Sequence, residues 1–470
     1  MPCGGDESCQ SEDCLHLSVY CPAGVTAVPV FFWIYGGAFN EGMNWGPLPG
    51  ADRSGLYDGA NLAATGGICV VAANYRLGVL GFLVLDDDGK GNQAIQDQRA
   101  AMQWTRDNIA AFGGDPDSIT IGGQSAGAMS TAVHLVSPHS AGLFHRAILQ
   151  SAVAAFQYQR ASVQKLAFGH KFASLTGCGS LSNTTCLRAL TPRQAINFGE
   201  KASGDVVSSI VDRILEGGRV EDAFAMQWSP VVDGDELSDQ PLKLMAKGTW
   251  NQVPLLIGTV QDEGATFIYA GVTTWLPEAL HPLIMDAIFF SDGPKVVDFY
   301  KPVAAAWRDA RDSLSYVLTD YWFKCSSARM AALADAQGQP AYVYRFNHSN
   351  MSLGKVLETY HLPKVCERRT CHASEIPFVF SNYANYSSIV RPDEKAMSAA
   401  LGEYWTSFVR SGDPNGGGAA VAWPRYNASE RLNLRVAAAE MEVESSESGQ
   451  RGALPTLGVC AFWDSVGYDH

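Results

Sequence analysis

Apolar side chains fall along the chain in two rhythms. Residues 28–35 (VPVFFWIY) and 68–74 (ICVVAAN) are unbroken apolar runs, the pattern of strands covered on both faces of a parallel sheet. Residues 92–112 instead carry Ile95, Ala101, Met102, Trp104, Ile109 and Phe112 at helical spacing, and Gly113-Gly114 stops the helix. A short strand at 118–122, a small-residue helix at 126–136 and a strand at 145–150 follow. The run at 153–225 changes character: it is helical in pattern, rich in Ser, Thr and Gln, and carries Cys178 and Cys186. Buried-strand patterns return at 253–260 (VPLLIGTV) and 341–346 (AYVYRF), with long helical stretches between them. Strands alternating with helices predict an α/β fold with a mostly parallel, doubly wound sheet. The segment 413–420 (DPNGGGAA) reads as a flexible loop, and the acidic run from Glu440 to Glu447 as a solvated loop.

Composition narrows the function. The 470 residues are 47% hydrophobic and 17% charged, with a net charge of −14. Such a chain folds. Its acidic balance argues against a nucleic-acid partner, which requires a basic face. No apolar run reaches the roughly 18 residues of a membrane span. The first residues (MPCGGDE) lack the basic and apolar regions of a signal peptide. Yet sequons at Asn183, Asn347, Asn350, Asn385 and Asn427, together with eleven cysteines, favour the secretory pathway. The two observations fit together if the natural N-terminus lies upstream.

Gly123-Gln124-Ser125-Ala126-Gly127 fits G-x-S-x-G, with an apolar strand before it and a small-residue helix after it. A strained strand-to-helix turn projects the serine above the sheet, and small neighbours let the turn close. A serine hydroxyl needs a base, and the base an orienting acid, in the chain order Ser, Asp/Glu, His. Glu263, just after the strand at 253–260, is the candidate acid. His281, His348, His361, His372 and His470 lie beyond the elbow; His372, in a loop after the strand ending near Phe346, fits better than His361 or His348. Tyr35-Gly36-Gly37-Ala38 follows a buried strand and offers backbone N–H groups for an oxyanion site, although Gly-Gly is equally the mark of a plain turn.

With these motifs in place, the chain resembles the type-B carboxylesterase, cholinesterase-like family of α/β-hydrolases over nearly its whole length. Residues 11–20 (SEDCLHLSVY) resemble one family signature and the stretch around Ser125 another. Asn74-Tyr75-Arg76-Leu77-Gly78, Phe112-Gly113-Gly114-Asp115-Pro116, Val231-Val232-Asp233-Gly234, Asp262-Glu263-Gly264, His372-Ala373-Ser374-Glu375 and Gly412-Asp413-Pro414-Asn415 follow in family order. The resemblance implies one α/β-hydrolase domain over 1–470 with helical lid-like insertions, lacking the family's first strands. It implies ester hydrolysis by Ser125 as nucleophile, Glu263 as acid and His372 as base. Oxyanion donors would be the N–H groups of Gly37, Ala38 and Ala126. Gln124, Ser151 and Glu375 would surround the triad, and Glu12 would form a structural ion pair with Arg76. The expected ligand is a small-molecule ester. No cofactor is implied, and Cys366, Cys371 and His372 have no second ligand pair nearby to make a metal site.

The chain departs from the family pattern in carrying Gln124 where a glutamate is usual, and Ala38 where a third glycine is usual. Loss of the carboxylate argues mildly against choline esters. A lipase or cholinesterase of the same family is the alternative enzyme. A catalytically inert adhesion protein of this fold, of the neuroligin kind, is disfavoured because all three triad positions are filled. The resemblance also pairs Cys178 with Cys186 and Cys325 with Cys460. Cys366 and Cys371 are close enough to bridge and to stiffen the His372 loop. Cys14 is expected to pair upstream, with Cys3 or Cys9, and Cys21 and Cys69 to remain thiols.

Overall fold

The computed structural model describes residues 11–46, 55–86, 90–203, 226–304, 308–354, 362–383, 387–417, 421–438, 440–446 and 458–468. Its centre is one sheet built from β1 (Leu17–Tyr20), β2 (Val28–Ile34), β3 (Cys69–Ala73), β4 (Gly114–Gln124), β5 (Arg146–Gln150), β6 (Leu255–Val260), β7 (Ala341–Phe346), β8 (Leu432–Val436) and β9 (Met441–Ser445). In space the order is β1-β3-β2-β4-β5-β6-β7-β8-β9. The pairs from β3 to β8 are parallel, and β1 and β9 add antiparallel edges. The apolar runs sit where parallel pairing demands, with β3, β6 and β7 buried along their whole length.

Helices cover the sheet. Four of them bear on the site: α1 (Gln93–Asn108), α2 (Ala126–Val136), α3 (Glu263–Gly271) and α4 (Pro392–Ser411). Every residue of α2 is buried, which explains its small-residue composition: it packs directly on β4 and β5. The predicted helix at 92–112 is α1 followed by one 3-10 turn, ended by Gly113 at φ 90°. The stretch after Gln150 breaks into short helices, Ala161–Gln164, His170–Leu175, Thr184–Arg188 and Pro192–Ser203.

Three sequence expectations change here. First, the acidic run is not a solvated loop over its described part. Met441–Ser445 is a strand, and its carboxylates pair with arginines of β8 and β7: Glu442 with Arg435, and Glu444 with Arg345. Second, Cys21 and Cys69 are not thiols but bridge each other. The β1–β3 register explains this, since Tyr20 lies opposite Val70 and the next pair is Cys21 and Cys69. Third, Arg76 pairs with Asp97, not Glu12. Its Nε and NH2 reach the two Asp97 oxygens at 2.7 Å each, and its backbone N–H donates to the same carboxylate at 3.0 Å. Asp97 is buried on α1, whereas Glu12 lies exposed on the chain before β1.

Cys178–Cys186, Cys325–Cys460 and Cys366–Cys371 are disulfides as expected. Cys14 has no bridge among the described residues. Its expected partners, Cys3 and Cys9, lie outside them, as do His361 and Asn385. No helix of the described residues is long and apolar enough to cross a membrane.

Candidate active site

Ser125 ends β4 and precedes α2 with φ 56° and ψ −125°, a region that only a strongly constrained side-chain-bearing residue occupies. Its neighbours show why they are small. A Cβ on Gly127 would lie 1.9 Å from the Ile34 carbonyl oxygen, and one on Gly123 would lie 2.4 Å from the same atom. The Ser125 N–H donates to the Gln150 carbonyl at 3.0 Å, which ties the turn to β5.

Glu263 opens α3 and is fully buried. Its Oε1 accepts the Val260 N–H at 2.9 Å, and its Oε2 meets His372 Nδ1 at 2.5 Å. The His372 loop is fastened to the acid's own turn. Asp262 N–H donates to the Thr370 carbonyl at 2.9 Å, Thr370 N–H returns to the Asp262 carboxylate at 3.1 Å, and the Cys366–Cys371 disulfide closes the loop. The imidazole packs against Phe267 and Phe323, with ring centroids 5.1 and 5.4 Å away, and these two rings stack on each other at 5.8 Å. With both sulfurs in the disulfide and Nδ1 engaged by Glu263, Cys366, Cys371 and His372 do not make a metal site.

The Glu263 carboxylate assigns the proton of the ring to Nδ1, leaving Nε2 as an acceptor. That nitrogen faces the side-chain amide of Gln124 at 3.0 Å. Ser125 and His372 make no direct hydrogen bond; Gln124, the residue before the serine, holds the place. His348 lies elsewhere: its Nε2 meets the buried Glu394 at 3.0 Å. His281 bonds Ser313 at 2.9 Å.

The loop after β2 turns through three successive positive φ values, 123° at Gly37, 50° at Ala38 and 62° at Phe39. The Gly37 carbonyl is consumed by the N–H groups of Asn40 and Glu41. The N–H groups of Gly37, Ala38 and Ala126 have no acceptor among the described residues. Beside Gly37 and Ala38 opens a cavity of about 1000 Å3, walled in part by Leu77, Val79, Leu187 and Trp228. Ser125 and His372 are not among its lining residues.

Behind the histidine, Glu375 is fully buried. Burial, reinforced by the Glu263 charge, pushes its carboxyl up to about 7. One of its oxygens accepts the Gln150 amide at 3.0 Å, and the other has no partner among the described residues. Gln150 Oε1 in turn accepts the Trp405 indole N–H of α4 at 3.0 Å. Ser151 is buried at φ 53° with its hydroxyl unpartnered among the described residues. Gln150 and Trp405 escaped the sequence reading. Only the β4–β5 register, which sets Gln124 beside Gln150, brings Gln150 to the site.

Comparison with known proteins shows the family and the fold. A family model described as the carboxylesterase family matches residues 3–453. Para-nitrobenzyl esterase of Bacillus subtilis (strain 168) is 31% identical over 455 residues, covering 94% of this chain and 82% of that protein. The "Crystal protein" of Dictyostelium discoideum is 36% identical over 411 residues, covering 86% of this chain and 69% of that one. Among solved structures, a PNB esterase superposes with a TM-score of 0.71 at 30% identity, covering 93% of this chain and 83% of that one. A thermophilic PNB esterase gives 0.72 at 29% identity, covering 93% and 82%. The chain belongs to the carboxylesterase family and has the α/β-hydrolase fold.

Proposed function

We propose that this carboxylic ester hydrolase works through an acyl-enzyme on Ser125. His372 Nε2 takes the hydroxyl proton as Ser125 attacks the ester carbonyl. Glu263 orients the ring and balances the imidazolium charge. The N–H groups of Gly37, Ala38 and Ala126 receive the developing oxyanion, each worth about 3 kcal/mol in the transition state. His372 then protonates the leaving alcohol, and water, activated by the same imidazole, releases the acid. The carrying observation is the buried Glu263–His372 pair, 2.5 Å apart, set next to a serine turn at φ 56°.

The substrate class is a small carboxylic ester. The name of the Bacillus relative suggests para-nitrobenzyl esters for the first assay. Hydrolysis of these and of para-nitrophenyl esters from acetate to palmitate, beside a choline ester, tests the reading. Activity on short acyl chains supports it, and activity confined to long chains or to choline would redirect it. We place the chain in the secretory pathway as one domain, on its disulfides and its sequons. Mass spectrometry of protein secreted by a eukaryotic host checks this through glycan on Asn183 or Asn427, which lie at the surface in local turns.

A further inference from the structure

A second cavity, of about 560 Å3, lies at the C-terminal ends of β6 and β7, lined by Gln261, Arg345, Asn347, Ser349, Asn350 and Arg368. Every lining side chain carries a hydrogen-bond donor, and none is apolar. Few of those donors are spent. Gln261 is only 3% exposed, and the unpartnered atom of its amide is the oxygen, an acceptor that a half-turn of the amide exchanges for the NH2 donor. Arg345, 8% exposed, gives one NH2 to Glu444 at 2.5 Å, while its Nε is buried and unpartnered. Arg368 has no ion-pair partner among the described residues, and the side chains of Asn347, Ser349 and Asn350 make no hydrogen bond among them. Glu444 is the acid that meets Arg345, and Asp262, beside Gln261, is turned to the Thr370 N–H. Arg345 Nε is thus a buried donor without an acceptor, which is costly in a folded protein and calls for a ligand that supplies oxygen, while Arg368 and Asn350 add exposed donors at the rim.

We propose that this cavity binds a small organic phosphate or sulfate ester. Two guanidinium groups with amide and hydroxyl donors around them match a tetrahedral oxyanion, whose oxygens take up donors from several sides at once. A carboxylate offers only two oxygens, too few for this set. The volume leaves room beside the anion for an organic moiety of sugar size. The setting is unusual in a chain of net charge −14. Gln261 lies two residues before Glu263, and Arg368 lies inside the Cys366–Cys371 loop, four residues before His372. A bound anion therefore joins the end of the acid's strand to the histidine's loop and restrains both. The proposal does not rest on the esterase reading, and its test is read without substrate.

The test is calorimetric titration and thermal denaturation of the full chain, made without N-glycans in a bacterial periplasm. The probes are inorganic phosphate, inorganic sulfate, glucose 6-phosphate and glucose 6-sulfate, against chloride at equal ionic strength. The proposal expects saturable binding with a rise in Tm, tighter for at least one sugar ester than for its inorganic ion. The phosphate and sulfate arms separate the two ester types. Arg368→Gln, an exposed position outside any described ion pair, should weaken binding at least tenfold. Gln261→Glu, which keeps the shape and adds a negative charge, should abolish it. No saturable binding by the unaltered chain, or equal affinity in both variants, overturns the proposal.

Discussion

The Gln124 side-chain amide meets His372 Nε2 at 3.0 Å, across the ring from the 2.5 Å contact of Nδ1 with Glu263. The imidazole is thus held at both nitrogens, the outer one by the amide of the residue before the serine. For Ser125 to pass its proton to Nε2, that amide must yield. Once the ring is charged, Nε2 carries a proton, which the Ser125 or leaving-group oxygen, or the amide oxygen after rotation, accepts.

This arrangement makes residue 124 a control on the base. Gln124→Glu would put a carboxylate 3 Å from Nε2 and favour the imidazolium. The acid limb of the kcat/KM profile should move to higher pH, by about one pH unit, because the base must be neutral to act. A pH–rate profile on a small neutral ester checks it. An unmoved limb would show that residue 124 does not face Nε2 in the working enzyme.

Glu375 should set a pH dependence of stability. Its carboxyl stands at about 7 in the folded chain, against an ordinary value of 4.5. A folded value above the unfolded one means that the folded state holds the extra proton between them. The stability cost is absent well below 4.5, grows as pH rises toward 7, and is complete above 7. Glu375→Gln keeps the acceptor for Gln150 and should recover about 2 kcal/mol between pH 5 and pH 8. Urea unfolding at the two pH values measures the difference.

The Cys366–Cys371 disulfide closes a short loop immediately before His372. Replacing both cysteines by serine should cost about 2 kcal/mol on the loop-entropy relation. It should also lower kcat more than it raises KM, because the loop positions the base rather than the substrate. Denaturation and steady-state kinetics of the double variant report the two effects separately.

The legible and illegible parts of the sequence divide on physical grounds. Long apolar strands such as β2, β6 and β7 are visible because parallel pairing buries both faces, and α2 because it must pack flat on the sheet. The turn at Ser125 is visible because its glycines are forced by contacts with Ile34. Edge strands hide: β9 is short and acidic, and it becomes a strand by pairing with β8 while its carboxylates meet arginines on β7 and β8. Pairings set by register hide as well. Cys21 finds Cys69, and Gln150 comes beside Gln124, through strand alignments that no spacing along the chain encodes. Arg76 chose the buried Asp97, reached by the fold of α1, over the exposed Glu12.

The account depends most on a covalent bond to Ser125. Rapid mixing with para-nitrophenyl acetate, followed by intact-mass and peptide analysis, measures it directly. The account predicts a burst approaching one equivalent per chain, an acetyl group on the peptide containing Ser125, and neither in Ser125→Ala, whose kcat/KM should fall by about 10^4 or more. A Ser125→Ala variant that keeps its activity, or an acyl group carried on another residue, would contradict it.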